Sequence, residues 1–279
     1  MKTCVSSYSF SKYMKDTGAD LFAVADKAKE LGFDAIEFTE LPGDDKLALA
    51  KKLRAHCEKI GLPIAAHSLG ADFINRDTEE EIKRVCEAVD VAAELGASVI
   101  RHDVCYALKS DHLYNHRDAI KEMAPAIRRI TEYAAAKGVR TTTENHGYIF
   151  QDPERVEELI LAVGHENYGW LCDIGNFLCA DCDIVRAVSC AAPYTYHVHV
   201  KDFLVKSGLF DKPEGFFETR GGNYLRGTVL GHGEVPIPTA IKALKRAGYD
   251  RYVSLEFEGM EENIPALTAG LTYLKKVIA

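Results

Sequence analysis

The 279-residue sequence has no apolar run that approaches the roughly 18 residues needed for a membrane-spanning helix. Its first ten residues, MKTCVSSYSF, lack the charged and apolar regions of a secretory signal. A membrane partner is therefore not expected, and a cytoplasmic location is. Basic residues are outnumbered, 34 Lys plus Arg against 42 Asp plus Glu, for a formal net charge of −8. Binding by phosphate neutralisation needs a basic face, so no nucleic-acid partner is expected. Paired cysteines are also lacking. The eight thiols, at positions 4, 57, 86, 105, 172, 179, 182 and 190, are scattered along the chain, and Cys179-Ala-Asp-Cys182 has no second well-spaced pair to complete a thiolate metal site. They read as reduced, mostly buried thiols.

What the sequence does contain is a repeat. An amphipathic helix, a glycine and a short β-branched or apolar run follow one another around Gly32, Gly61, Gly96, Gly138 and Gly248. Helices commonly end in a left-handed residue, which is inexpensive only without a Cβ, so each glycine marks a helix-to-strand junction. Leu49, Leu53, Cys57 and Ile60 share one helical face, as do Ile82, Val85 and Val89. Thr78 with Glu81 reads as a capping box. Strands are expected at about 3–8, 34–38, 63–67, 97–102, 139–144, 168–173, 195–200 and 252–256, which gives roughly eight strand–helix units. No Gly-rich phosphate loop follows the first strand and no shift in composition divides the chain, which argues against a doubly wound open sheet. The expected fold is an α/β single (β/α)8 TIM barrel spanning 1–279, with a long active-site loop at about 202–235.

Barrels keep their chemistry at the C-terminal ends of the strands. The residues closing these strands are Glu37, His67, His102, Glu144, Asp173, His199 and Glu256. Carboxylates and imidazole on the last four strands suit Mn²⁺, Co²⁺, Mg²⁺ or Zn²⁺, and several buried carboxylates are costly without a compensating cation. One divalent ion, Mn²⁺ foremost, is expected. The stretch after His199 is longer than most barrel loops and carries Lys201, Arg220, Arg226 and His232, which suits a lid that grips hydroxyls or a phosphate.

Five segments carry a resemblance: Glu144-Asn145-His146-Gly147, Cys172-Asp173-Ile174-Gly175-Asn176, His197-Val198-His199-Val200-Lys201-Asp202, Leu230-Gly231-His232-Gly233-Glu234 and Ser254-Leu255-Glu256-Phe257-Glu258. Together they resemble the signature segments of the sugar phosphate isomerase/epimerase family of xylose isomerase-like TIM barrels. The resemblance implies that Glu144, Asp173, His199 and Glu256 bind the metal, and that Glu144 and Glu256 also move protons from opposite faces of the substrate. The implied function is that of a divalent-metal-dependent isomerase or epimerase of a small sugar, keto-polyol or sugar phosphate. The reaction would abstract an α-proton to give a metal-stabilised enediolate. His67, His102, Asn176, Lys201, Arg220, Arg226 and His232 are the expected substrate contacts.

Asn176 departs from the family, because several ketose 3-epimerases have histidine there; asparagine can bond a hydroxyl but cannot carry a proton. An inositol-type or other keto-polyol substrate gains weight accordingly. The alternative is a lyase on the same scaffold, an inosose-type dehydratase or a C-glycoside-cleaving subunit. An apurinic endonuclease of the endonuclease IV type is disfavoured by Asn176, by the missing Asp-x-His pair and by the acidic charge. Homo-oligomerisation stays open.

Overall fold

The computed structural model describes residues 1–279. Eight parallel strands close a barrel: β1 (Lys2–Ser6), β2 (Ala35–Thr39), β3 (Ile64–Leu69), β4 (Val99–His102), β5 (Arg140–Glu144), β6 (Tyr168–Asp173), β7 (Thr195–Val200) and, after an excursion, β11 (Tyr252–Leu255). Neighbours run in the order β1-β11-β7-β6-β5-β4-β3-β2, with helices between successive strands, so the fold is a TIM barrel. No helix is long and apolar enough to cross a membrane.

The five glycines of the repeat all have positive φ, from 66° at Gly61 to 90° at Gly32. At Gly32 and Gly61 the glycine N–H bonds back to the last turn of the preceding helix, which is how the chain stops a helix and turns into the next strand. The helix Thr78–Leu95 is capped one residue earlier than its sequence suggests, because the Asp77 carboxylate accepts from the Glu80 N–H. Glu81, freed from that task, is buried; it accepts from the Asp72 N–H at 2.7 Å and pairs with Arg84 at 2.8 Å.

The long connection after β7 is itself structured. β8 (Asp202–Lys206), β9 (Phe217–Glu218) and β10 (Tyr224–Thr228) form a three-stranded antiparallel sheet beside the barrel mouth. Its base is fastened by Asp202, which accepts from the N–H groups of Gly231 and Gly233 at 2.8 and 2.9 Å and of Val235 at 3.1 Å. A Cβ on Gly233 would meet the Asp202 carboxylate at 2.2 Å, so glycine is required there by close approach.

Candidate metal centre

Glu144 and Asp173 end β5 and β6, His199 is the penultimate residue of β7 and Glu256 follows β11, so the four side chains meet at one end of the barrel. A ligand atom from each lies within 4.8 Å of the others. His199 Nδ1 is 3.4 Å from Glu256 Oε1 and 4.0 Å from Glu144 Oε1. Asn145 locks the neighbouring strands in register: its Oδ1 accepts from the Asp173 N–H at 3.0 Å and from the Trp170 indole at 3.1 Å, while its amide donates to the Asp173 carbonyl at 2.8 Å.

The electrostatics of this cluster are those of a site short of positive charge. Burial pushes the Asp173 carboxyl up, and the nearby charges of Glu144 and Glu256 push it the same way; Lys201 only partly opposes them. Burial also works against the charge of Glu256, but Lys201 and His199 hold that carboxyl well below the usual range. The Lys201 ammonium is buried among three carboxylates, 2.7 Å from Glu256, 2.9 Å from Glu258 and 3.2 Å from Asp173. Asp173 Oδ2 and the His199 Nδ1 that faces the cluster are nonetheless buried without a hydrogen-bond partner. An orphaned carboxylate oxygen and imidazole nitrogen, with two further carboxylates at this separation, fit a divalent cation.

Beneath His199 lies a second carboxylate. Glu37, fully buried in the middle of β2, bonds His197 Nε2 at 2.7 Å through one oxygen and approaches His199 Nε2 to 2.8 Å with the other. His197 thus sits below His199 on the same strand face and supports Glu37.

The cleft above these groups has a volume of about 210 Å³ and is lined by Tyr8, Ser68, Arg101, Glu144, His146 and Glu258 among others. Arg101 Nη2 bridges Glu144 at 2.7 Å and Asp103 at 2.8 Å, and His146 Nδ1 is 3.1 Å from Asp103. Asn176 donates from its amide to Glu144 Oε1 at 2.8 Å, so it touches a predicted ligand.

Other expected contacts lie elsewhere. His67 turns outward, with Nδ1 3.0 Å from the Phe38 carbonyl, into a separate hollow shared with Glu40 and Arg84. His102 packs between Phe73 and Tyr168, its Nδ1 2.8 Å from the Asp103 carbonyl. Arg220 is paired with Asp152 at 2.6 Å, Arg226 lies over Phe216, and His232 is exposed on the loop that Asp202 fastens. Lys201 alone of the loop cations reaches the cleft.

The residues missed from sequence include Tyr8, Ser68, Arg101, His146 and Glu258. Ser68 pairs in register with Arg101, one position from each of the histidines that close the strands by eye. Alternation was the available signal: Arg101 shares a face with Val99, not with His102.

A family model described as Xylose isomerase-like TIM barrel matches residues 25–277. The ketose 3-epimerase of Arthrobacter globiformis is 27% identical over 238 residues, covering 82% of this chain and 75% of that protein. Among solved structures, an IolI protein with a bound zinc atom superposes with a TM-score of 0.78 at 18% identity, over 100% of this chain and 98% of that one. The probable 3-DHS dehydratase AsbF from Bacillus anthracis, involved in petrobactin synthesis, gives a TM-score of 0.77 at 21% identity, over 99% of both chains.

Proposed function

The chain belongs to the xylose isomerase-like TIM barrel family, and from that premise we propose that it is a divalent-metal-dependent isomerase or epimerase of a small sugar, keto-polyol or sugar phosphate. The observation that carries this reading is the convergence of Glu144, Asp173, His199 and Glu256 within 4.8 Å in the barrel mouth. These four residues would hold the ion. When bound, it supplies positive charge for the substrate oxygens on which negative charge gathers as an α-proton leaves.

The protein's own groups supply the rest. Glu144 and Glu256 sit on opposite sides of the cleft, on β5 and after β11, so one carboxylate can remove a proton and the other return one. Arg101 and Asn176 orient Glu144 from two directions, and Lys201 and His199 favour the ionised form of Glu256. Tyr8, Ser68 and His146 line the same space with groups able to bond substrate hydroxyls.

A lyase is the second reading, favoured by His146, a further proton donor that lines the cleft 3.1 Å from Asp103. An elimination begins with the same proton abstraction and needs such a donor at the departing hydroxyl.

The test is incubation of the Mn²⁺-loaded protein with ketoses, inososes and keto-acids in D₂O, followed by NMR and mass spectrometry. An isomerase incorporates deuterium at the α-carbon and conserves the carbon skeleton and its oxygens; a dehydratase loses water. Glu144→Gln and Glu256→Gln should each abolish exchange while keeping the melting temperature, because the amide cannot accept the proton. Near-normal exchange in either variant would remove that glutamate from the proton-transfer role, and a wild type that binds no ion would sink the proposal.

A further inference from the structure

The metal cleft does not end at His146 and Glu258. Both residues also line a neighbouring cavity of about 430 Å³, whose other walls include Tyr106, Tyr148, Phe203 and Phe217 beside Gln151, Asn176 and Cys179. At about 210 Å³ the metal cleft is below the roughly 300–1,000 Å³ of ordinary small-molecule sites, and the adjoining cavity brings the combined space into that range.

The chemistry of the second cavity differs from that of the first. The hydroxyls of its tyrosines are engaged: Tyr106 donates to Asp103 at 2.9 Å and Tyr148 to the Glu218 carbonyl at 2.9 Å. Phe203 and Phe217 meet edge to face, with ring centroids 5.8 Å apart. Part of the polar lining is engaged as well: Gln151 Oε1 accepts from the Tyr148 N–H and the Asn176 amide donates to Glu144. Such walls suit a flat apolar ring rather than a second hydroxyl-rich sugar.

Tyr148 also has the backbone signature of a built wall. It is one of two non-glycine residues with positive φ, at 65°, in a conformation unfavourable for a bulky side chain. It is held there from three sides, since its N–H bonds Gln151, its carbonyl accepts from Arg220 at 2.9 Å, and its hydroxyl reaches Glu218. Arg220 and Glu218 belong to the excursion after β7, so these contacts fasten the loop after β5 to that excursion across the cavity. Strain that is maintained by several independent contacts clusters at ligand-binding positions.

We infer that this cavity is a specificity subsite for an apolar or aromatic ring attached to the sugar or polyol that occupies the metal cleft, which makes the preferred substrate class a keto-sugar or keto-polyol that carries an aryl or similarly apolar substituent. The inference rests on the proposed placement of the sugar beside Glu144 and Glu256.

The test is the binding of phenyl β-D-glucopyranoside and methyl β-D-glucopyranoside to the Mn²⁺-loaded protein by titration calorimetry. The phenyl compound should bind about tenfold more tightly or better. Phe217→Ala and Tyr148→Gly should each bring the two affinities within about twofold by weakening the phenyl compound alone. Tyr148→Gly relieves the backbone strain, so it keeps a folded variant available should Phe217→Ala melt early. Equal affinities in the wild type, no binding of either compound, or a phenyl preference that survives in both variants would overturn the subsite. Because binding is read without turnover, a missing α-proton exchange would count against the proposed reaction and leave the subsite standing.

Discussion

Glu37 Oε1 lies 2.8 Å from Nε2 of His199, while the other ring nitrogen of that histidine faces the Glu144–Glu256 cluster. A carboxylate on the far nitrogen of a metal-binding imidazole fixes which nitrogen carries the proton and leaves the near one free to bind. Glu37→Gln should therefore lower affinity for Mn²⁺ by roughly 10- to 100-fold with little change in secondary structure. Equilibrium dialysis with elemental analysis measures this directly, and unchanged affinity would reduce Glu37 to a packing group.

Ion binding should also stabilise the fold. At a free ion concentration about 100 times Kd, the gain is about 2.7 kcal/mol, which for a chain of this size is a rise of several degrees in melting temperature. Calorimetric scans with and without a chelator test the effect in the wild type. In Asp173→Ala the two scans should coincide, and a chelator shift that persisted in that variant would place the ion elsewhere.

His67 and His102 make acid stability predictable. Burial lowers each from the usual 6.5 to about 4, opposed by their contacts with the Phe38 and Asp103 carbonyls. The folded chain thus binds fewer protons than the unfolded chain between these values. Stability is full above about pH 6.5, falls on the order of 1 kcal/mol per pH unit per histidine below it, and levels off for these groups below about pH 4. Denaturant melts from pH 7 to 4 should show this slope, and His67→Gln should flatten it by about half. An unaltered slope would assign the acid sensitivity to other groups.

Arg220 is engaged within the protein. Its bond to the Tyr148 carbonyl and its ion pair with Asp152 connect the excursion to the loop after β5. Arg220→Ala should cost about 1 kcal/mol or less in global stability, because the pair is partly solvated. It should raise KM more than it lowers kcat, since Arg220 touches none of the four ligand residues. A collapse in kcat at unchanged KM would instead give it a part in the transition state.

Much of this architecture was readable because it follows from local backbone chemistry. The helix–glycine–strand repeat gave the strand positions, and Glu144, Asp173, His199 and Glu256 were legible as polar residues that close them. Phase was harder to read. His67 and His102 stood out chemically, but they alternate onto the outer face of the barrel, and the pairing of β2 with β3 shifts register between Ile36 and Phe38, which the sequence does not signal. The long connection after β7 read as a loop because β9 has only two residues, Phe217 and Glu218, too few for a periodicity. Arg220 was marked as a substrate clamp by its charge, while its partner Asp152 is 68 residues away and no local pattern could reveal it.

The fastening of the excursion by Asp202 has an evolutionary consequence. Because one carboxylate pins the backbone at Gly231, Gly233 and Val235 just beyond the sheet, the closure of the segment is settled at its root and makes few demands on its tip. For a flexible segment, doubling the length of such a tip adds only about 0.6 kcal/mol of closure entropy. Insertions and exchanges between Ser207 and Phe216 can therefore accumulate while the barrel beneath keeps its geometry. The outer tip of the excursion can thus diversify faster than the carboxylates in the barrel mouth, so its surface can change without rebuilding the reaction centre.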